Sequence, residues 1–142
     1  MGSQIVFDTN VLISSVGWDA KPEICLERVL YGPDEGYISP DLLDELKRVL
    51  EYPHLDITEQ EGESFVEIIL ASFHMIVPQT DLEVIDDDPD DDMVLECAVA
   101  ADASYIISGD SHLQELESFR EINIVSPAVF LEEHEANPNG SN

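Results

Sequence analysis

Five short runs of β-branched and aromatic residues recur along the chain, separated by stretches with helical periodicity. This alternation restricts the architecture more than any other feature. The runs are QIVFD (Gln4 to Asp8), GYIS (Gly36 to Ser39), HMIVP (His74 to Pro78), SYIIS (Ser104 to Ser108) and INIVS (Ile122 to Ser126), each bounded by turn-forming residues. Residues 22–31, 40–51, 58–73 and 90–102 read as helices, a short helix follows His112, and a last one starts at Pro127 with Ser126 as its cap. The pattern predicts an α/β fold in which a mostly parallel central sheet carries helices on both faces. In open parallel sheets, ligands gather beyond the carboxyl ends of the strands, beside the point where strand order reverses. Residues that follow each strand are therefore the first functional candidates.

The chain has 142 residues, 44% of them hydrophobic, which is enough for one core. Residues 1–136 are expected to form a single domain, and the tail NPNGSN (residues 137–142) to be disordered. No run of about 18 apolar residues could cross a bilayer, and the N-terminus lacks the pattern of a signal peptide, so no membrane partner and a cytoplasmic location are expected. Cys25 and Cys97 lie in apolar helical patterns without CxxC spacing and read as buried free thiols.

Charge is the extreme feature: 32 Asp and Glu against 5 Lys and Arg, a formal net charge of −27. Such a chain repels itself at physiological salt, whereas molar salt shortens the Debye length to about 3 Å. A halophilic cytoplasm is the simplest setting. Acidity normally argues against a nucleic-acid partner, because phosphate binding relies on Lys and Arg. That objection loses force where salt screens the basic-patch mechanism anyway.

Two acids stand at strand ends. Asp8 closes the apolar run of FDTN, with Thr9 and Asn10 behind it, and Asp110 follows Tyr105-Ile106-Ile107 in SGD. Either one alone could simply cap a helix. Both together, on strands that could be neighbours, favour a ligand site. Glu45 lies in SPDLLDELKRVL, where Ser39 and Pro40 form a favoured helix start. On a helical wheel Val49, Leu42, Leu46, Leu50 and Leu43 fill a roughly 120° arc, Glu45 borders it, and Asp44 points away to solvent.

The stretch IDDDPDDDM, residues 85–93, packs six aspartates around one proline. Asp88-Pro89 is a helix-start signal, with Asp90 and Asp91 in a first turn whose dipole favours anions. Asp86 and Asp87 read as solvated charge. A calcium-binding EF-hand loop does not fit, since its required Gly and Glu positions hold Asp91 and Cys97.

Carboxylates about 4 Å apart repel by roughly 4 kcal/mol at an effective dielectric near 20, so a cluster must take up protons or share a cation. An oxygen-only cluster suits Mg²⁺ or Mn²⁺, whose chemistry serves phosphodiester hydrolysis. The sequence has no GxxxxGK[ST] phosphate loop and no GxSxG elbow, and His54, His74, His112 and His134 show no ligand spacing.

From IVFDTNVLISSV through YISPDLLDELKRVL to DPDDDMVLECAVAADASYIISGDSHLQEL, the chain resembles PIN-domain proteins, close to the toxin components of prokaryotic toxin–antitoxin systems. The motifs are short, but their order and spacing together are specific. The resemblance implies a Rossmann-like fold and a Mg²⁺- or Mn²⁺-dependent ribonuclease. Asp8 matches the first family acid, Glu45 the helical glutamate and Asp110 the acid ending the later strand, with Ser108 matching a frequent small hydroxyl. The fourth acid opens a helix in a DPxD pattern. That pattern selects Asp91, while counting back from Asp110 along shorter relatives selects Asp92. Asn10 and Ser108 would orient the ligands from behind. The resemblance further implies an RNA substrate, a homodimer and a small antitoxin protein that blocks the site. Where relatives often carry an acid or a Lys-Asp pair after GD, this chain has Ser111-His112, which leaves a fifth acidic group in doubt. Two rivals use the same residues: a DNA nuclease or metal phosphatase, and a catalytically silent RNA-binding module.

Overall fold

The computed structural model describes residues 2–16, 20–79 and 89–135, with side chains of the last segment from residue 92 to 134. Six strands form one sheet: β1 (Gln4–Phe7), β2 (Glu35–Ile38), β3 (His74–Met75), β4 (Tyr105–Ile107), β5 (Ser118–Phe119) and β6 (Ile122–Val125), in the order β3-β2-β1-β4-β6-β5. All pairings are parallel except β5 with β6. The chain starts in the middle of the sheet, builds outward to β3, then crosses to the other side of β1 with β4. The order therefore reverses at β1, and the β1–β4 boundary is the crevice where such sheets take ligands.

The helices are α1 (Thr9–Ser14), α2 (Ala20–Leu30), α3 (Pro40–Leu50), α4 (Glu59–Ser72), α5 (Pro89–Ala101), α6 (Ser111–Leu116) and α7 (Pro127–Glu135). Successive strand residues face opposite sides, yet Ile5, Val6 and Phe7 in β1, and Ile106 and Ile107 in β4, are all buried. Both faces of the central strands are thus covered, as the unbroken apolar runs require. Gly36 in β2 is small for a reason: a Cβ there would lie 2.5 Å from the ring of Phe73, which packs over the sheet against Phe7. Among the described residues no helix is long and apolar enough to cross a membrane.

Local signals set the helix ends. Ser39 accepts the amide of Leu42 at 3.2 Å and Pro40 opens α3, as the sequence predicts. Thr58 and Glu61 form a reciprocal capping box on α4, and the Ser126 hydroxyl takes the Val129 amide at the head of α7. The structure departs from the sequence reading in several elements. The third strand shortens from five residues to His74–Met75, α1 starts at Thr9 just after β1, where no separate helix is expected, and the two-residue strand β5 is not expected either. Asp86, Asp87 and the predicted cap Asp88 lie outside the described residues, as does the tail 137–142.

Candidate functional site

Register brings the two strand-end acids together. Phe7 pairs with Ile107, and the Asp8 amide donates to the Ile107 carbonyl at 2.9 Å, so Asp8 and Ser108 leave the sheet side by side. Ser108 is fully buried and Asp8 is 7% exposed. The Ser108 hydroxyl donates to Asp8 Oδ2 at 2.8 Å and accepts the Asp110 amide at 2.9 Å. One hydroxyl therefore ties the first carboxylate to the backbone of the second acid.

Both acids also cap helices, so capping and clustering are realised by the same residues. Asp8 Oδ1 accepts the Asn10 amide at 3.4 Å at the start of α1. Asp110 Oδ1 accepts the amides of His112 at 2.7 Å and Leu113 at 3.3 Å at the start of α6. His112 Nδ1 lies 3.7 Å from the same oxygen, on the exposed side. Ser39 and Ser126 cap α3 and α7 at the same edge of the sheet, which collects four helix N-termini there. Their partial positive charge moderates the repulsion among the acids.

Glu45 is half-buried on α3, between exposed Asp44 and buried Leu46, as its wheel position predicts. Its helix packs on α1, the helix that Asp8 caps, and on α5. Ser39 adds a cross-link: it is almost fully buried and hydrogen-bonds the Cys97 thiol of α5, whose pKa is pushed up to about 12 by burial, the bond opposing the rise. Cys25 is likewise buried and outside any disulfide, its thiol donating to the Pro127 carbonyl at 3.8 Å, and among the described residues neither sulfur belongs to a metal-binding group. Asn10 contributes its backbone amide to Asp8, while the residue itself is exposed.

The fourth acid falls in the first turn of α5. Asp92 is buried, at 8% exposure. The side chain of Asp91 lies outside the described residues. Among the described residues no three His, Cys, Asp or Glu side chains form a ready-made metal group. The donor set at the crevice is nonetheless all oxygen, the Asp8 carboxylate being tied through the Ser108 hydroxyl to the backbone of Asp110, and oxygen donors are what Mg²⁺ and Mn²⁺ select. A separate cavity of about 700 Å³ between α3 and α4 is lined by Lys47, Leu50, Ile57, Gly62 and Val66, and includes none of these acids. Its size does not make it the site, because the convergent polar groups are at the crevice.

Two residues that sequence reasoning did not single out bear on the site. Ser39 was visible only as a cap, and Gln114, which donates to the Ser108 carbonyl at 2.8 Å, had no sequence signal at all.

Comparison with known proteins agrees with this architecture. Among solved structures, the chain is similar to the crystal structure of VapBC2 from Rickettsia felis bound to a DNA fragment from their promoter, with a TM-score of 0.59 and 15% identity over 85% of this chain and 96% of that chain. At that identity the likeness speaks for the fold alone. No curated protein matches the sequence. The family model of the PIN domain matches residues 4–112, a span that runs from β1 through Asp110, and on that ground the chain belongs to the PIN-domain family.

Proposed function

We propose that the protein is a Mg²⁺- or Mn²⁺-dependent endoribonuclease whose acids are Asp8, Glu45, Asp91 and Asp110. PIN domains are generally nucleases and typically depend on divalent metal. The observation that carries the reading is the Ser108 hydroxyl, which bridges Asp8 and the Asp110 backbone at the strand-order reversal. A divalent ion held there would acidify a water and neutralise charge on a phosphodiester. Asp8, buried and fixed at both oxygens, would hold it most rigidly. Asp110 and Glu45 would complete the set from the heads of α6 and the flank of α3. Asn10 and Ser108 would orient these carboxylates, and His112 would line the rim. No general acid or base among the described side chains is required beyond this.

Asp91 is the preferred fourth acid because its DPxD match needs no gap. Asp92 is the alternative, supported by its burial. Paired substitutions separate them: Asp91→Asn should abolish Mn²⁺ binding while Asp92→Asn keeps it, and the reverse result would transfer the role.

The extreme acidity supports a halophilic, cytoplasmic setting, where the ion also brings the positive charge that the surface lacks. By likeness to the VapBC2 structure and the sequence resemblance, the protein would act as a toxin, form a homodimer and be blocked by a small antitoxin. The deciding experiment compares labelled RNA, labelled DNA and small phosphate esters with Mn²⁺ in molar KCl. RNA cleavage that Asp8→Asn removes is the expected result. Cleavage of DNA or esters instead would favour the rival enzymes, and metal-independent RNA binding without cleavage would favour a silent module.

A further inference from the structure

The hydrogen-bond ladder between β4 and β6 ends one donor short. Asn123 donates its amide to the Ser104 carbonyl at 3.0 Å, Tyr105 pairs with Asn123 and Ile107 with Val125, and the Ser108 amide donates to the Val125 carbonyl at 2.9 Å. A parallel ladder advances two residues on each strand per step, so the amides of residues 123, 125 and 127 fall to the carbonyls of 104, 106 and 108. Residue 127 is proline and has no N–H. The carbonyl of fully buried Ser108 would be left without its ladder donor, a costly state for a buried backbone group.

Gln114 fills that gap. Its Nε2 donates to the Ser108 carbonyl at 2.8 Å, and its own backbone amide donates to the Asp110 carbonyl at 3.0 Å. It therefore grips both ends of Ser108-Gly109-Asp110, the turn at whose middle a Cβ on Gly109 would meet nothing within 4 Å. The Ser108 hydroxyl on that turn is the one that holds Asp8 and the Asp110 amide.

We propose that Gln114 is a positioning residue for the carboxylate site, standing in for the backbone amide that Pro127 removes and so fixing the Ser108 hydroxyl between Asp8 and Asp110. The inference rests on the reading of these acids as metal ligands. A side chain in the role of a ladder amide keeps the turn set by α6 rather than by β6, which couples the orientation of Ser108 to the helix that Asp110 caps.

The test is a cycle of Gln114→Ala, Pro127→Ala and the double variant, read by Mn²⁺ titration calorimetry in molar KCl alongside thermal melts. Gln114→Ala should weaken Mn²⁺ binding about tenfold, as loss of a group behind the ligands typically does. Pro127→Ala alone should leave the affinity unchanged. The double variant should recover wild-type affinity, because residue 127 then offers an amide to Ser108. A purely structural clamp would lower the melting temperature of Gln114→Ala without moving Mn²⁺ affinity, and that result overturns the proposal. Failure of Pro127→Ala to restore affinity also overturns it. If Gln114→Ala is too unstable to titrate, the double variant is set against Pro127→Ala, and a tenfold deficit there counts against the substitution of one donor for the other. Wild type that binds no Mn²⁺ would remove the site reading and this inference together. Binding that is lost in Asp8→Asn but equal in Gln114→Ala and wild type would remove this inference alone.

Discussion

Two buried aspartates at opposite ends of the sheet have nearly equal exposure and different surroundings. Asp34, just before β2, is 4% exposed and faces Arg28, whose Nε donates at 2.7 Å; the Ser3 amide adds a bond at 2.9 Å. Arg28 in turn lies over the Phe130 ring, which ties α2 to α7. Asp8, just after β1, is 7% exposed, and the partners that hold its carboxylate at 2.8 and 3.4 Å are a hydroxyl and an amide. An arginine neutralises one acid and makes it structural. A hydroxyl and an amide orient the other, and Ser108 links it to the backbone of a second acid. Burial alone therefore does not mark a site. The end of the strands at which the acid stands, and its link to a second acid, set the two apart.

Substitutions can break this contrast. Asp8→Asn keeps the shape of the side chain and removes its charge; Mn²⁺ affinity and RNA cleavage should fall by more than about 100-fold, the upper range for groups that merely support a ligand. Its melting temperature at low salt should stay level or rise, since one repelling charge is gone. A fall in stability with metal affinity intact would make Asp8 structural after all. Asp34→Asn should do the opposite: chemical denaturation should show a loss of about 3 kcal/mol, because Arg28 is left without its partner, while Mn²⁺ affinity is unchanged.

Ser39→Ala tests the seam between the two acid-bearing helices. Loss of the α3 cap should cost about 1 kcal/mol in denaturant melts. If Glu45 is placed by that cap, Mn²⁺ binding should weaken modestly as well. The smallest expected effect is chemical silence at Cys97. Its folded pKa, about 12 against an ordinary 9.0, means that the thiol stays protonated in the native state. Its contribution to stability is fully present below pH 9 and is lost as pH rises toward 12, because only the unfolded chain then gives up the proton. Alkylation at pH 8 should leave Cys97 unmodified until denaturant is added, and rapid labelling of native protein would contradict its burial.

The order of elements and their faces were legible in the sequence because short parallel strands and amphipathic helices have different periods. Glu45 is the clearest case: its helical position borders a buried stripe and that of Asp44 points to solvent, and in the structure Glu45 is half-buried and Asp44 exposed. The misses are equally physical. The two-residue strand β5 is too short to have a period, and α1 follows β1 so closely that Asp8-Thr9-Asn10 reads as a strand end. In IDDDPDDDM, local composition could name a helix start but could not rank Asp91 against Asp92, because adjacent helical positions differ by only about 100°.

What the sequence by itself determined is a set of candidate acids at the ends of apolar runs, all of them oxygen donors, and a family pattern from residue 4 to 112. Only the tertiary structure decided which of them meet. Strand order made β1 and β4 neighbours, register set Asp8 beside Ser108, and the missing amide of Pro127 gave Gln114 its place. The β1–β4 pairing that sets Asp8 beside Ser108 joins residues 100 positions apart, and no local pattern in the chain encodes it.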